Sequence, residues 1–170
     1  MVRAERVGRP RLARAEVERL GNLMLAELGL EPAELSVLLT GDELIGELNG
    51  SYRRRHRPTD VLSFAMDESR PQSGPRLLGD VVISLETAGR QAKKAGHSLS
   101  REVTTLLAHG LLHLVGHDHV TRAEKAAMDA TTELLVARAG RRRPRGPTRK
   151  AGLTGDRPRV ARETPKTSGS

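Results

Sequence analysis

Between residues 11 and 138, short apolar runs alternate with stretches of helical period. That alternation restricts the chain to a sheet packed with helices. Residues 11–29 set Leu12, Ala15, Leu20, Leu23, Met24 and Leu28 among charges, mostly at helical spacing, with Gly29 near the end. This predicts an amphipathic helix lying on a sheet. Glu34–Thr40 is short and apolar and is bounded by Pro32 and Gly41, so it reads as a strand. Asp42 is placed to cap a following helix that runs to about Tyr52. Asp60–Met66 is a second strand, residues 68–77 with Pro71, Gly74 and Pro75 a loop, and Gly79–Leu85 a third, fully buried strand. Helices are expected over about 86–95, 98–115 and 121–138. Ser98 or Ser100 caps the middle one, and Glu102 in its first turn favours the helix dipole. The expected fold class is α/β (α+β): a small mixed β-sheet packed with about five or six helices, in a single domain.

Charge divides the chain into two parts. Residues 138–170 carry 11 Lys and Arg against 2 Asp and Glu, while the rest carries 18 against 19. From Gly140 onward the sequence is rich in Arg, Pro, Gly, Ser and Thr and poor in large apolar side chains. Such a segment buries too little surface to offset its ordering entropy. Residues 1–139 are therefore expected to fold as one domain, and 140–170 to form a disordered basic tail. The tail reads either as an electrostatic arm for RNA or ribosomal surfaces or as a solvated extension without a role.

The chain has no cysteine, which excludes disulfides, thiolate zinc sites and a cysteine nucleophile. No apolar run approaches the roughly 18 residues of a membrane span. Met1-Val2-Arg3-Ala4-Glu5-Arg6 lacks the apolar stretch of a signal peptide. A soluble cytoplasmic protein is expected.

The chemistry concentrates in His109-Gly110-Leu111-Leu112-His113-Leu114-Val115-Gly116-His117-Asp118-His119. His109 and His113 are four residues apart, so on a helix both imidazoles lie on one face and can reach one metal ion. Gly116 stands where a helix can end in a left-handed cap, which turns the following residues back toward the same point. Three neutral nitrogen ligands with an open fourth position describe a catalytic zinc site better than a structural one. Spacing leaves the third ligand open: His119 and His117 both qualify, and Asp118 is a further ligand or an orienting partner. Zinc in such a site lowers the pKa of its bound water to about 7, ready to attack a carbonyl or a phosphodiester. A His-Glu-x-x-His protease carries its glutamate base directly after the first histidine. Gly110 occupies that position and cannot move a proton, which disfavours peptide hydrolysis.

The segment Asn49-Gly50-Ser51-Tyr52-Arg53-Arg54-Arg55-His56-Arg57-Pro58-Thr59-Asp60 places four arginines within five residues. Arginine suits bidentate phosphate contact and stabilises charge on a phosphate transition state. The plainer reading is a solvated basic loop. Combined with the histidines, the arginines favour a phosphodiester substrate. Tyr52 and Phe64 are the only aromatic residues apart from histidine, so a stacking platform of several aromatics is absent.

These residues resemble the signature of the YbeY family, bacterial single-strand-specific endoribonucleases and rRNA maturation factors. His109–His119 matches its histidine motif. Leu48-Asn49, Tyr52-Arg53 and Pro58-Thr59-Asp60-Val61-Leu62-Ser63-Phe64 look like its strand and preceding arginine. Leu78-Gly79-Asp80-Val81-Val82-Ile83-Ser84 looks like its next strand. The resemblance covers about residues 12–137. It implies one zinc ion per chain held by His109, His113 and His119, and a role for Arg53 in RNA cleavage. It further implies zinc-dependent processing of the 3′ end of small-subunit rRNA and ribosome quality control. The partners implied are single-stranded RNA and the ribosome or its proteins, with no membrane and no DNA. The other reading is a ribosome-assembly binding factor whose metal is mainly structural. Asp80, Asp118 and the metal-bound hydroxide are candidates for the general base. Met1–Pro10 is polar and Arg-rich where the family opens with a strand, so a shortened strand or a misplaced start is expected. His117 stands where some relatives have tyrosine, which argues against it as a required ligand.

Overall fold

The computed structural model describes residues 1–6, 12–54, 56–66, 74–117 and 121–141, with the main chain alone at Glu5, Arg6 and Arg53. Four strands and five helices follow one another among these residues. They are β1 (Val2–Arg6), α1 (Arg14–Glu27), β2 (Ala33–Thr40), α2 (Asp42–Arg53), β3 (Val61–Ala65), β4 (Arg76–Ser84), α3 (Leu85–Ala95), α4 (Leu99–Leu114) and α5 (Arg122–Gly140). The sheet order is β1-β2-β4-β3, with β1 and β4 parallel to β2, and β3 antiparallel to β4 at the edge. This is the expected mixed α+β sheet.

The register sorts side chains onto two faces, because successive residues of a strand point to opposite sides. Val2, Ala4, Leu35, Val37, Leu39, Val81 and Ile83 join α1, α4 and α5 in the main core. Val82, Leu62, Leu38 and Phe64 turn the other way and pack against Ile45 and Leu48 of α2. Helices therefore cover both faces, and α4 lies over β3 and β4.

Three features extend or revise the sequence reading. First, a short opening strand is present over Val2–Arg6. Val2 and Ala4 point into the core, and the charged Arg3, Glu5 and Arg6 around them hid the strand in sequence. Its outer edge is closed by α1: the Val2 N–H donates to Asn22 Oδ1 at 3.0 Å and the Ala4 N–H to Glu18 Oε1 at 3.3 Å. Such contacts blunt an edge that would otherwise recruit another strand. Gly21 makes this packing possible, since a Cβ there would lie 2.8 Å from Val2 Cγ2. Second, β4 begins at Arg76 rather than Gly79, because Arg76 and Leu77 pair with Ala33 and Glu34 before a bulge. Third, α5 runs to Gly140. The rest of the basic tail, from Arg142 on, lies outside the described residues.

Asp42 is not the cap of α2. Gly41 holds that position, and the first turn is capped from α3, where Glu86 Oε2 accepts the Asp42 N–H at 2.7 Å. The Asp42 carboxylate instead accepts from Ser84 Oγ at 2.5 Å, Thr87 Oγ1 at 2.7 Å and Arg90 Nη2 at 2.7 Å. Burial pushes this carboxyl upward, but the three hydrogen bonds and the Arg90 charge outweigh it and hold the group below its ordinary value. A carboxyl lowered by folding adds stability above its ordinary range and loses it as the pH falls through its folded pKa. Asp42→Asn is therefore expected to destabilise the protein at neutral pH. The gap between the two denaturation midpoints should narrow as the solution is acidified below the usual carboxylate range.

Candidate functional site

Helix α4 carries the histidine pair. Ser98 caps it by accepting the Arg101 N–H at 3.2 Å, which settles the choice between Ser98 and Ser100. Ser100 instead donates to Glu16 Oε1 at 3.1 Å. At the far end Gly116 takes a φ of +87°. Its N–H donates to the His113 carbonyl at 3.1 Å, and the His117 N–H to the Leu112 carbonyl at 3.0 Å. This paired closure is a left-handed glycine stop, and it turns the chain directly after His113.

Gly110 sets the depth of the helix. A Cβ there would lie 2.8 Å from Val81 Cγ1 and 3.1 Å from Ser63 Oγ, and the Ser63 hydroxyl donates to the Gly110 carbonyl at 3.1 Å. The position that lacks a protease base in sequence is thus a flat contact with the sheet. It seats α4 against β3 and β4, with His109 and His113 half-buried beside it.

The two imidazoles converge. His109 Nε2 and His113 Nε2 are 3.2 Å apart, and the rings meet edge to face at 82°. Two nitrogens bound to one tetrahedral zinc at about 2.0–2.1 Å stand roughly 3.3–3.4 Å apart. The pair therefore fits a shared ion, and imidazole is a donor suited to zinc. Among the described residues no carboxylate or further imidazole joins the pair. The third expected ligand, His119, and the alternative Asp118 lie outside the described residues. His117 is described and exposed.

His113 also lines a cleft of about 390 Å³ with Ala65, Met66, Arg76, Leu77, Leu78 and the Leu114–Gly116 turn. Arg76 is a cation that the sequence did not single out, because residues 68–77 read as a loop. Asp80 is exposed and pairs with Ser36 and Phe64, on the sheet face turned away from α4. As a proton-transfer group beside the histidines it is therefore misplaced.

Arg53 is the last residue of α2. The chain turns at Arg54, which adopts a left-handed φ of 55°. It then lies back along the helix. The Asn49 amide donates to the Arg57 carbonyl at 2.8 Å, and the His56 ring covers Gly50, where any Cβ would collide with it. Asp60 closes this loop. Its Oδ1 accepts the Val61 N–H at 2.8 Å and the Thr59 hydroxyl at 3.2 Å, and its Oδ2 accepts from Gln91 Nε2 at 3.0 Å. Near Asp60, Glu102 pairs with His97 Nε2 at 3.0 Å. Burial raises the Glu102 carboxyl, His97 opposes the shift and Asp60 adds to it. The arginine segment is thereby fastened to α2, to α3 and to the start of the edge strand.

Fold and site together describe an α+β domain that presents a histidine pair from a helix packed on an edge strand. A family model described as Endoribonuclease YbeY matches residues 5–140, and the chain belongs to this family. Endoribonuclease YbeY of Aquifex aeolicus is 50% identical over 110 residues, covering 65% of this chain and 72% of the relative. The protein of the same name from Heliobacterium modesticaldum is 44% identical over 139 residues, covering 75% and 83%. A Thermotoga maritima protein of known solution structure shares the fold at a TM-score of 0.59 and 23% identity, over 82% of this chain and 89% of that one. No helix among the described residues is long and apolar enough to cross a membrane.

Proposed function

We propose that this chain is a zinc-dependent, single-strand-specific endoribonuclease. It matures the 3′ end of small-subunit rRNA and serves ribosome quality control in the cytoplasm, with the ribosome or its proteins as partners. The observation that carries the reading is the convergence of His109 Nε2 and His113 Nε2 to 3.2 Å on a helix whose end lines an open cleft. Membership of a family described as endoribonucleases supports the reaction class.

His109, His113 and His119 hold one zinc ion in this proposal. When bound, zinc supplies a Lewis acid that brings the pKa of water near neutrality. The chain's own cations do the remaining work. Arg53 forks onto the scissile phosphate and neutralises the charge that grows on its oxygens. Arg76, at the cleft wall, draws the anionic strand toward the histidines. Gly110 lets α4 sit close against β3 and β4, which fixes where the helix presents both imidazoles.

Arg53→Ala is expected to lower kcat/KM on a single-stranded rRNA fragment roughly tenfold to a hundredfold, the worth of a charged hydrogen bond. Arg53→Lys should recover only part of the loss, since lysine lacks the planar fork. Quantitative cleavage assays on the purified variants check this. Rates equal to those of the unaltered chain would remove Arg53 from the site.

A further inference from the structure

The sequence offers one tyrosine, one phenylalanine and no tryptophan. The fold brings the two rings together: the centroids of Tyr52 and Phe64 lie 4.7 Å apart at a tilt of 57°. Phe64 is half-buried against Ile45, Leu62 and Val82, so it is anchored from beneath. Tyr52 is 69% exposed, so one face of its ring is open to solvent.

The location ties this pair to the site. Tyr52 immediately precedes Arg53 in the last turn of α2. Phe64 immediately precedes Ala65 and Met66, which line the cleft with His113. The exposed ring thus stands one residue from Arg53, on the α2 side of the edge strand β3 whose other side α4 covers. Met66 and Leu77, both lining the cleft, are 45% and 38% exposed.

We propose that Tyr52, supported by Phe64, is a stacking platform for one unpaired nucleobase next to the scissile phosphate. The proposal rests on the reading of the chain as an endoribonuclease and adds the feature that selects unpaired strands. Every base has a π-face, so stacking tolerates any sequence. A base inside a duplex is already stacked and paired, and leaving that arrangement costs a few kcal/mol. One ring is enough for one base, which agrees with a chain so poor in aromatics.

The chain provides its own reporter, because Tyr52 is its sole tyrosine and tryptophan is absent. The full-length zinc-loaded protein is mixed rapidly with a short oligouridylate, with an abasic strand of the same phosphate number, and with an RNA duplex. Tyrosine emission is read before turnover, and affinity is read in parallel from anisotropy of end-labelled strands. Saturable quenching by oligouridylate is expected, with none from the abasic strand or the duplex. Tyr52→Leu keeps an apolar cover over Phe64 but removes the ring. It should weaken oligouridylate binding about tenfold or more and leave the abasic strand unaffected. Tyr52→Trp should retain binding, and unchanged melting temperatures confirm that both variants fold. Tight oligouridylate binding with unaltered emission overturns the proposal, as does equal weakening of both strands by Tyr52→Leu. Failure of the unaltered chain to bind or cleave any strand overturns the endoribonuclease reading, and the platform with it.

Discussion

His113→Ala is expected to lower kcat/KM on single-stranded RNA about a thousandfold or more while the protein stays folded. The size follows from what the side chain contributes. His113 is half-buried at the cleft wall, and the core below it is held by Leu111, Leu112 and Leu107. Removing the imidazole leaves that core intact and halves the described donor pair, whose nitrogens stand 3.2 Å apart. In the proposed three-histidine site, the two ligands left would hold the ion less firmly. Far-ultraviolet circular dichroism and melting curves establish the fold, and cleavage of an end-labelled rRNA fragment establishes the loss. Loss of fold together with loss of activity would support a mainly structural metal. A folded variant that cleaves at the original rate would remove His113 from the chemistry.

Gly79→Ala is expected to carry the largest penalty in stability, roughly 2–5 kcal/mol. Two costs coincide at this position. Gly79 has a φ of +133°, a region that side chains rarely adopt. A Cβ there would also collide with the Phe64 carbonyl oxygen and stand 3.1 Å from Ala65 Cα. Both obstacles are backbone of β3, so no side-chain rotation relieves them. The edge strand must move away from β4, and it carries Ser63 at the α4 contact and Ala65 at the cleft. Denaturant unfolding measures the loss. A variant with the original midpoint would contradict the close β3–β4 approach that positions the site.

The histidine helix was legible because spacing and a terminal glycine act locally: the i, i+4 relation fixes one face and Gly116 fixes the stop. Strands β2, β3 and β4 were legible from their apolar runs. The opening strand was hidden because only Val2 and Ala4 face the core and their neighbours are charged. Arg76 escaped notice because β4 starts inside a segment whose Pro and Gly residues signal a loop. The pairing of Tyr52 with Phe64 could not be read at all. It depends on α2 packing across the sheet from α4, a tertiary relation with no signature in either residue's surroundings. Gly110 shows a further kind of gap. In sequence it marks a missing base, and only the fold shows that Val81 and Ser63 leave no room for one.

Metal content measured together with turnover tests the central claim most directly. The purified chain should hold one zinc ion and cleave single-stranded RNA. Chelation should abolish cleavage, zinc should restore it, and His109→Ala, His113→Ala and His119→Ala should each fail to retain the ion. A zinc-free, folded chain that cleaves at the original rate would contradict the account.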